Sequence, residues 1–121
     1  MNGIEESSWL LGYYRNTSGK MAATLPDTTV TAHFKDGKLS GSAGCNRYFG
    51  SYTTGSGDQL SFTTHIGATA MACAPPVSEQ ERQYFKRLSE VVGFQLQDEA
   101  LQLLDKNGQA VLDFTAVKPL L

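Results

Sequence analysis

Thr28-Thr29-Val30-Thr31-Ala32-His33-Phe34-Lys35-Asp36-Gly37-Lys38-Leu39-Ser40-Gly41-Ser42-Ala43-Gly44 is the stretch that decides the fold. Its first half alternates with a period of two: Val30, Ala32 and Phe34 fall on one face, and Thr29, Thr31 and His33 on the other. That is the pattern of a half-buried strand. Asp36-Gly37 follows, a two-residue turn in which both positions need positive φ. Lys38 to Gly44 therefore returns antiparallel, as a thin strand that its glycines and serines leave easy to bend.

Working outward, the same grammar recurs. Phe49 to Thr54 reads as a third strand, Gly55-Ser56-Gly57-Asp58 as a turn, and Gln59 to His65 as a fourth strand with Leu60 and Phe62 inward. Trp9 to Tyr14 is apolar on both faces, as in a central strand or one beneath a helix. Toward the other end, Phe94 and Leu96 mark a short strand, Asp98-Glu99 a turn and Ala100 to Leu104 the next strand. Asn107-Gly108 then leads into Val111 to Thr115.

One segment breaks this period. After Pro75-Pro76, Ser78 stands three residues before Glu81, the spacing of a capping box. Tyr84, Phe85, Leu88, Val91 and Val92 then recur at helical spacing, with Glu79, Arg82, Lys86 and Glu90 opposite and Gly93 as a C-terminal cap. The expectation is one amphipathic helix over about 78–92. A flat sheet of about eight strands would leave more apolar surface than one helix covers. The fold class is therefore mostly β (α+β): a strongly curved antiparallel sheet of about eight strands, closed into a partly open barrel with the helix at its mouth. Gly41, Gly44 and Gly50 are placed to permit the curvature.

Size and composition set the outer limits. The 121 residues form one domain over 1–121, with 1–7 expected as a flexible lead-in. Forty per cent hydrophobic residues suffice for a core, and charged residues are only 18%. A net charge of −2 gives no basic field for nucleic acid or an anionic membrane surface. No apolar run is long enough to span a bilayer. Met1-Asn2-Gly3-Ile4-Glu5-Glu6 has neither a basic nor an apolar region of a signal peptide, so the chain is either cytoplasmic or the product of removing a native signal.

Catalytic signatures are lacking. No G-x-S-x-G elbow, P-loop, G-x-G-x-x-G or H-E-x-x-H occurs, and the carboxylates fall at turns and on the helix surface. An OB-like surface of exposed Tyr and Phe would need a basic lining that the charge balance does not supply. His33 and His65 alternate onto polar strand faces and read as surface residues. Cys45 and Cys73 are too far apart for a C-x-x-C site, and four-ligand zinc would need unusual geometry with only two histidines. The two cysteines are compatible with one disulfide, with a redox pair or with two buried thiols. No cofactor and no metal is expected.

At the second half of the hairpin the residues become specific. Phe34-Lys35-Asp36-Gly37-Lys38-Leu39-Ser40-Gly41-Ser42-Ala43-Gly44-Cys45-Asn46-Arg47-Tyr48-Phe49-Gly50-Ser51-Tyr52 and, further on, Thr69-Ala70-Met71-Ala72-Cys73 resemble the two signature blocks of the META-domain family, which includes the heat-shock-associated HslJ-like proteins of bacteria. Trp9-Leu10 and the Leu101–Phe114 hairpin resemble its two ends. The resemblance assigns Asp36, Gly37, Gly41, Gly44, Cys45, Asn46, Arg47, Tyr48, Gly50, Tyr52, Thr69, Met71 and Cys73 to the family motif. It implies a cracked β-barrel with a helix, a shape shared with lipid-binding pilot proteins of secretion systems. It also implies an exported or lipoprotein setting in the bacterial envelope, a link to stress tolerance and motility, and no established enzymatic activity.

An envelope location, periplasmic or outer-membrane-associated, would favour a Cys45–Cys73 disulfide. Asn46 is expected to hydrogen-bond across a strand crossing while Tyr48 packs on the wall; the functional alternative has Arg47 presenting its guanidinium to an anionic or amphipathic ligand. Two non-enzymatic functions stand side by side. In the leading one, a lipid-like or other apolar small molecule is held between helix and sheet, lined by Val30, Phe34, Leu60, Phe62, Phe85 and Leu88, with the helix as a lid. In the other, the core is filled and the domain binds an envelope protein partner.

Overall fold

A computed structural model describes residues 4–62 and 66–117. The hairpin at the start of the reading forms as expected: β3 (Thr31–Lys35) pairs with β4 (Lys38–Ser42), placing Phe34 opposite Leu39. Asp36 and Gly37 both have positive φ, as the turn demands. Ala43 continues only as an isolated bridge to Val30. The chain then turns at Gly44, whose φ of +112° suits glycine. β5 (Arg47–Thr54) pairs next to β4, and Gly41 lies where β3 and β4 approach so closely that a Cβ would stand 2.2 Å from the Thr31 carbonyl oxygen.

Around this nucleus runs one antiparallel path, with β6 (Leu60–Phe62) beyond β5 and β1 (Ser7–Arg15) beyond β3. It continues through β10 (Ala110–Ala116) and β9 (Ala100–Leu104) to β8 (Gly93–Gln97). Two short strands join it: β2 (Met21–Ala23) pairs with β1, and β7 (Gly67–Ala68) with β5. The eight-stranded path curls into a nearly closed barrel whose seam lies between β6 and β8. Leu60 N–H donates to the Val92 carbonyl (3.2 Å) and Phe94 N–H to that of Asp58 (3.0 Å). Those bonds link the ends at one point and leave the seam otherwise unsealed. The expected partly open barrel is therefore the observed fold.

Two bulges help bend it. The β1–β10 register shifts between Leu11 and Tyr13, and the β10–β9 register between Ala110 and Leu112. An extra residue breaks strict alternation, so Val111 and Leu112 are both fully buried although adjacent. The core is rich in rings, with Tyr84 at the centre of contacts to Tyr48, Phe85 and Phe114 at 5.5, 5.9 and 6.5 Å between centroids.

The helix, α1 (Pro75–Glu90), packs on β1, β10 and β6 at one end of the barrel. Its boundaries correct the expected 78–92. Pro75 and Pro76 occupy the first turn, where a missing N–H costs nothing. Ser78 N–H already bonds the Ala74 carbonyl, and the Ser78 hydroxyl donates to the Pro75 carbonyl (3.1 Å), so Ser78 and Glu81 form no capping box. Gly93 is no cap either: Val91 is already extended, and Gly93 begins β8. Val91 is buried but Val92, expected in the core, is 50% exposed. The lead-in also differs from expectation, since Ile4 is fully buried and Ser7 opens β1. Residues 1–3 and His65, with the expected end of the fourth strand, lie outside the described residues.

Candidate functional site

Of the family-motif residues, Cys45, Asn46, Thr69, Met71 and Cys73 gather where the β4–β5 corner meets α1. Asp36, Gly37, Gly50 and Tyr52 lie toward the other end of the β3–β4–β5 meander, where Tyr52 N–H donates to the Gly37 carbonyl (3.0 Å). Glu81, one turn and a half into the helix, points inward and is only 8% exposed. Its Oε2 accepts the N–H groups of Asn46 (2.8 Å) and Cys45 (3.3 Å), and its Oε1 accepts the Asn46 side-chain amide (2.8 Å). A buried carboxylate needs donors or a cation. Here three N–H groups serve, and neither ion pair among the described residues, Glu79–Arg82 or Glu90–Arg87, involves Glu81.

Asn46 faces the other way with its oxygen. Oδ1 accepts the Thr69 hydroxyl (2.9 Å) and the Met71 N–H (2.6 Å). Arg47 N–H donates to Thr69 Oγ1 (3.1 Å), and Thr69 N–H to the Arg47 carbonyl (3.0 Å). Cys45 and Cys73 are bridged, with Cα atoms 6.3 Å apart. The two signature blocks are thus two sides of one joint, tied by a disulfide and an amide.

Tyr48, next along β5, is 1% exposed. Its hydroxyl donates to the Thr31 carbonyl (2.6 Å) and lies 2.6 Å from the Tyr84 hydroxyl. Because Tyr48 has one proton and spends it on Thr31, Tyr84 must be the donor between the rings. Burial pushes both phenols well above the usual tyrosine range. Tyr52 donates to Glu5 Oε1 (2.6 Å); burial, then that bond and the Glu5 charge, push it up to about 12.

Two further helix side chains hold loops that the sequence does not flag. Gln80, 1% exposed, accepts Leu25 N–H (2.7 Å) and donates to Thr28 Oγ1 (3.1 Å). Arg87 donates to the carbonyls of Arg15 (2.7 Å) and Asn16 (2.9 Å) and pairs with Glu90 (2.7 Å). The helix therefore pins three loops through polar side chains. The only sequence signal available was an inward-facing position on α1 for residues too polar to be there without partners.

Of the residues put forward as a ligand lining, Val30, Phe34, Leu60 and Leu88 are buried, and Phe62 and Phe85 partly so, all in one core cluster. Phe34 packs against Tyr52 (5.2 Å) and Phe62 (6.2 Å), and Phe85 against Tyr48 (5.6 Å) and Tyr84. Surface depressions of about 290, 510 and 350 Å³ ring the seam near Val92, Asp105 and Lys106, and Leu60 alone of the six borders them. Arg47 is exposed on the outer sheet face, as is Phe49 at 60%, whose ring lies over Gly67; Met71 is 56% exposed. His33 is exposed and lies 2.6 Å from the Ser8 hydroxyl. Among the described residues no group of three or more His, Cys, Asp or Glu is placed to hold a metal, and no helix is long and apolar enough to cross a membrane.

This is a cracked antiparallel barrel plugged at one end by a helix, with a disulfide-tied joint at the plug. The META domain model matches residues 3–118, and the chain belongs to the META domain family. Its fold is similar to that of a protein from Burkholderia xenovorans solved by NMR, with TM-score 0.77 and 30% identity over 96% of this chain and 85% of that one. A second NMR structure shares 22% identity (TM-score 0.64, 93% and 90% covered). A DUF4847 family protein from Bacteroides vulgatus shares 14% (TM-score 0.62, 93% and 94% covered). The last two show likeness of fold alone. Among curated proteins, none matches the chain.

Proposed function

We propose that this chain is a non-catalytic binding domain of the bacterial envelope that engages another protein through its outer surface, while its barrel interior serves as a filled core. The observation that carries this reading is the fate of the six residues first considered for an acyl-chain site. All six belong to one core cluster, in which the Phe34 ring is spent on Tyr52 and Phe62 and the Phe85 ring on Tyr48 and Tyr84. An acyl chain entering there would have to displace ring contacts in an interior that packs as densely as a crystal. Large apolar side chains do reach the outside, at Leu10, Tyr13, Phe49, Met71, Val92 and Val117. Such residues supply contact area for a partner. A bridged cysteine pair suits an oxidising compartment, in keeping with the envelope.

Native mass spectrometry of protein incubated with palmitate and with phosphatidylglycerol tests the reading. The expected spectrum is the mass of the polypeptide alone. A stoichiometric adduct of acyl-chain mass would refute it and restore the ligand-binding function with α1 as the lid.

A further inference from the structure

Residues 66–74 lead from β6 toward α1, and residues 68–72 among them are all exposed. Ile66 alone of this segment packs against the core cluster, and only partly. What holds the segment is a short row of tethers that converge on residues 45–49. β7 pairs Ala68 with Tyr48 and Gly67 with Phe49. Thr69 and Met71 bond Arg47 and Asn46, and Cys73 is bridged to Cys45. The corner at Asn46 has a second, separate anchor in Glu81 on α1. Among the described residues, 67–73 have no such anchor. A stretch with little apolar burial opens locally at small cost once its covalent tie is gone.

We propose that Cys45–Cys73 is a redox latch on this segment. Both sulfurs belong to half-buried residues, so a dithiol reductant can reach them. A thiolate of the reductant attacks one sulfur, and the Cys45–Cys73 bond breaks as a mixed disulfide forms. The other cysteine leaves as a thiolate and takes up a proton. The second thiol of the reductant then displaces the mixed disulfide, leaving two protein thiols and an oxidised, disulfide-bonded reductant. Reduction releases residues 67–73 from the edge of β5 while the barrel and the Asn46–Glu81 joint stay formed. The backbone edge at Tyr48 and Phe49, now covered by β7, is uncovered, and the Phe49 ring loses Gly67 from beneath it. The latch concerns the chain's own segment and holds whether or not a partner binds the domain.

Hydrogen exchange of the intact protein, oxidised and after treatment with dithiothreitol, decides the matter. In the oxidised protein the Thr69 and Met71 amides are protected. In the reduced protein they are expected to exchange within about tenfold of an unstructured chain, while the Asn46 and Phe114 amides stay at least about 1,000-fold slower. The Cys45→Ser/Cys73→Ser double variant, without reductant, is expected to match the reduced pattern. Thr69 and Met71 amides that stay protected alongside the core in the reduced protein would overturn the latch. So would loss of Asn46 and Phe114 protection in step with them, since the disulfide would then be a staple for the whole fold.

Discussion

Replacing Glu81 by glutamine changes one oxygen to an amide group and nothing in volume, so its effect isolates the polar joint. With its oxygen at the Oε2 position, the new side chain still accepts from Cys45 and Asn46 N–H. Its NH2 then faces the Asn46 side-chain amide, donor against donor, where Oε1 accepted at 2.8 Å. Flipping Asn46 does not repair this, because its Oδ1 is needed by Thr69 and Met71. One bond to a charged acceptor is lost, worth about 1.5–3 kcal/mol, and two others become neutral, at roughly 0.5 kcal/mol each. Glu81→Gln should therefore destabilise by about 3 kcal/mol. Urea unfolding of the oxidised protein at pH 7 measures it, with Glu79→Gln on the exposed face of α1 as a control expected within about 0.5 kcal/mol. A loss below about 1 kcal/mol for Glu81→Gln, with an unchanged m-value, would refute the assignment of Glu81 as the acceptor at the joint.

Other consequences follow from the same geometry. Tyr48→Phe should cost more than Tyr84→Phe, about 2–3 against about 1 kcal/mol, because it strands both the Thr31 carbonyl and the Tyr84 hydroxyl; equal costs in urea unfolding would reverse the proton assignment. The raised Tyr48, Tyr52 and Tyr84 hold their protons in the folded state above pH 10, where an unfolded chain releases them. Stability should hold up to about pH 10 and fall from there through about pH 12, by about 1.4 kcal/mol per pH unit for each fully buried tyrosine, with Tyr84→Phe flattening the slope by one such step. Urea midpoints that stay level from pH 9 to 11.5 would contradict this. Gly41→Ala should lower the urea midpoint sharply, since its Cβ would lie 2.2 Å from the Thr31 carbonyl oxygen, backbone that cannot swing aside. Cys45→Ser/Cys73→Ser should lower global stability in urea unfolding by less than the loop-closure value of about 3–4 kcal/mol for a span of this length, because residues 67–73 regain freedom in the folded variant.

Features written in short-range patterns were legible in the sequence. The β3–β4 hairpin carries its own turn dipeptide and clean alternation, and α1 its own period. Barrel closure followed from the mismatch between eight apolar-faced strands and a single helix. Long-range polar contacts carried no such mark. Glu81 matched a capping box by spacing, but two prolines had already taken the helix start, leaving its carboxylate for partners 35 and 36 residues away. Gln80 and Arg87 reach 55 and 72 residues back, beyond any periodicity. The bulges hid for a different reason: adjacent buried residues such as Val111 and Leu112 look like a register error until the ladder shows which residue is extra. The family motif was recognisable as a block, yet its physical sense, a joint between the β4–β5 corner, residues 69–73 and α1, required the coordinates.

The proposed function rests on a barrel interior occupied by its own side chains, and methyl-resolved NMR tests that directly. Val30, Leu60 and Leu88 methyls would be followed during titration with palmitate below its critical micelle concentration. Resonances that stay in place, with any shifts confined to exposed positions such as Leu10 or Val92, are the expected result. Saturable shifts at all three buried methyls would contradict it and show a cavity that opens for an acyl chain.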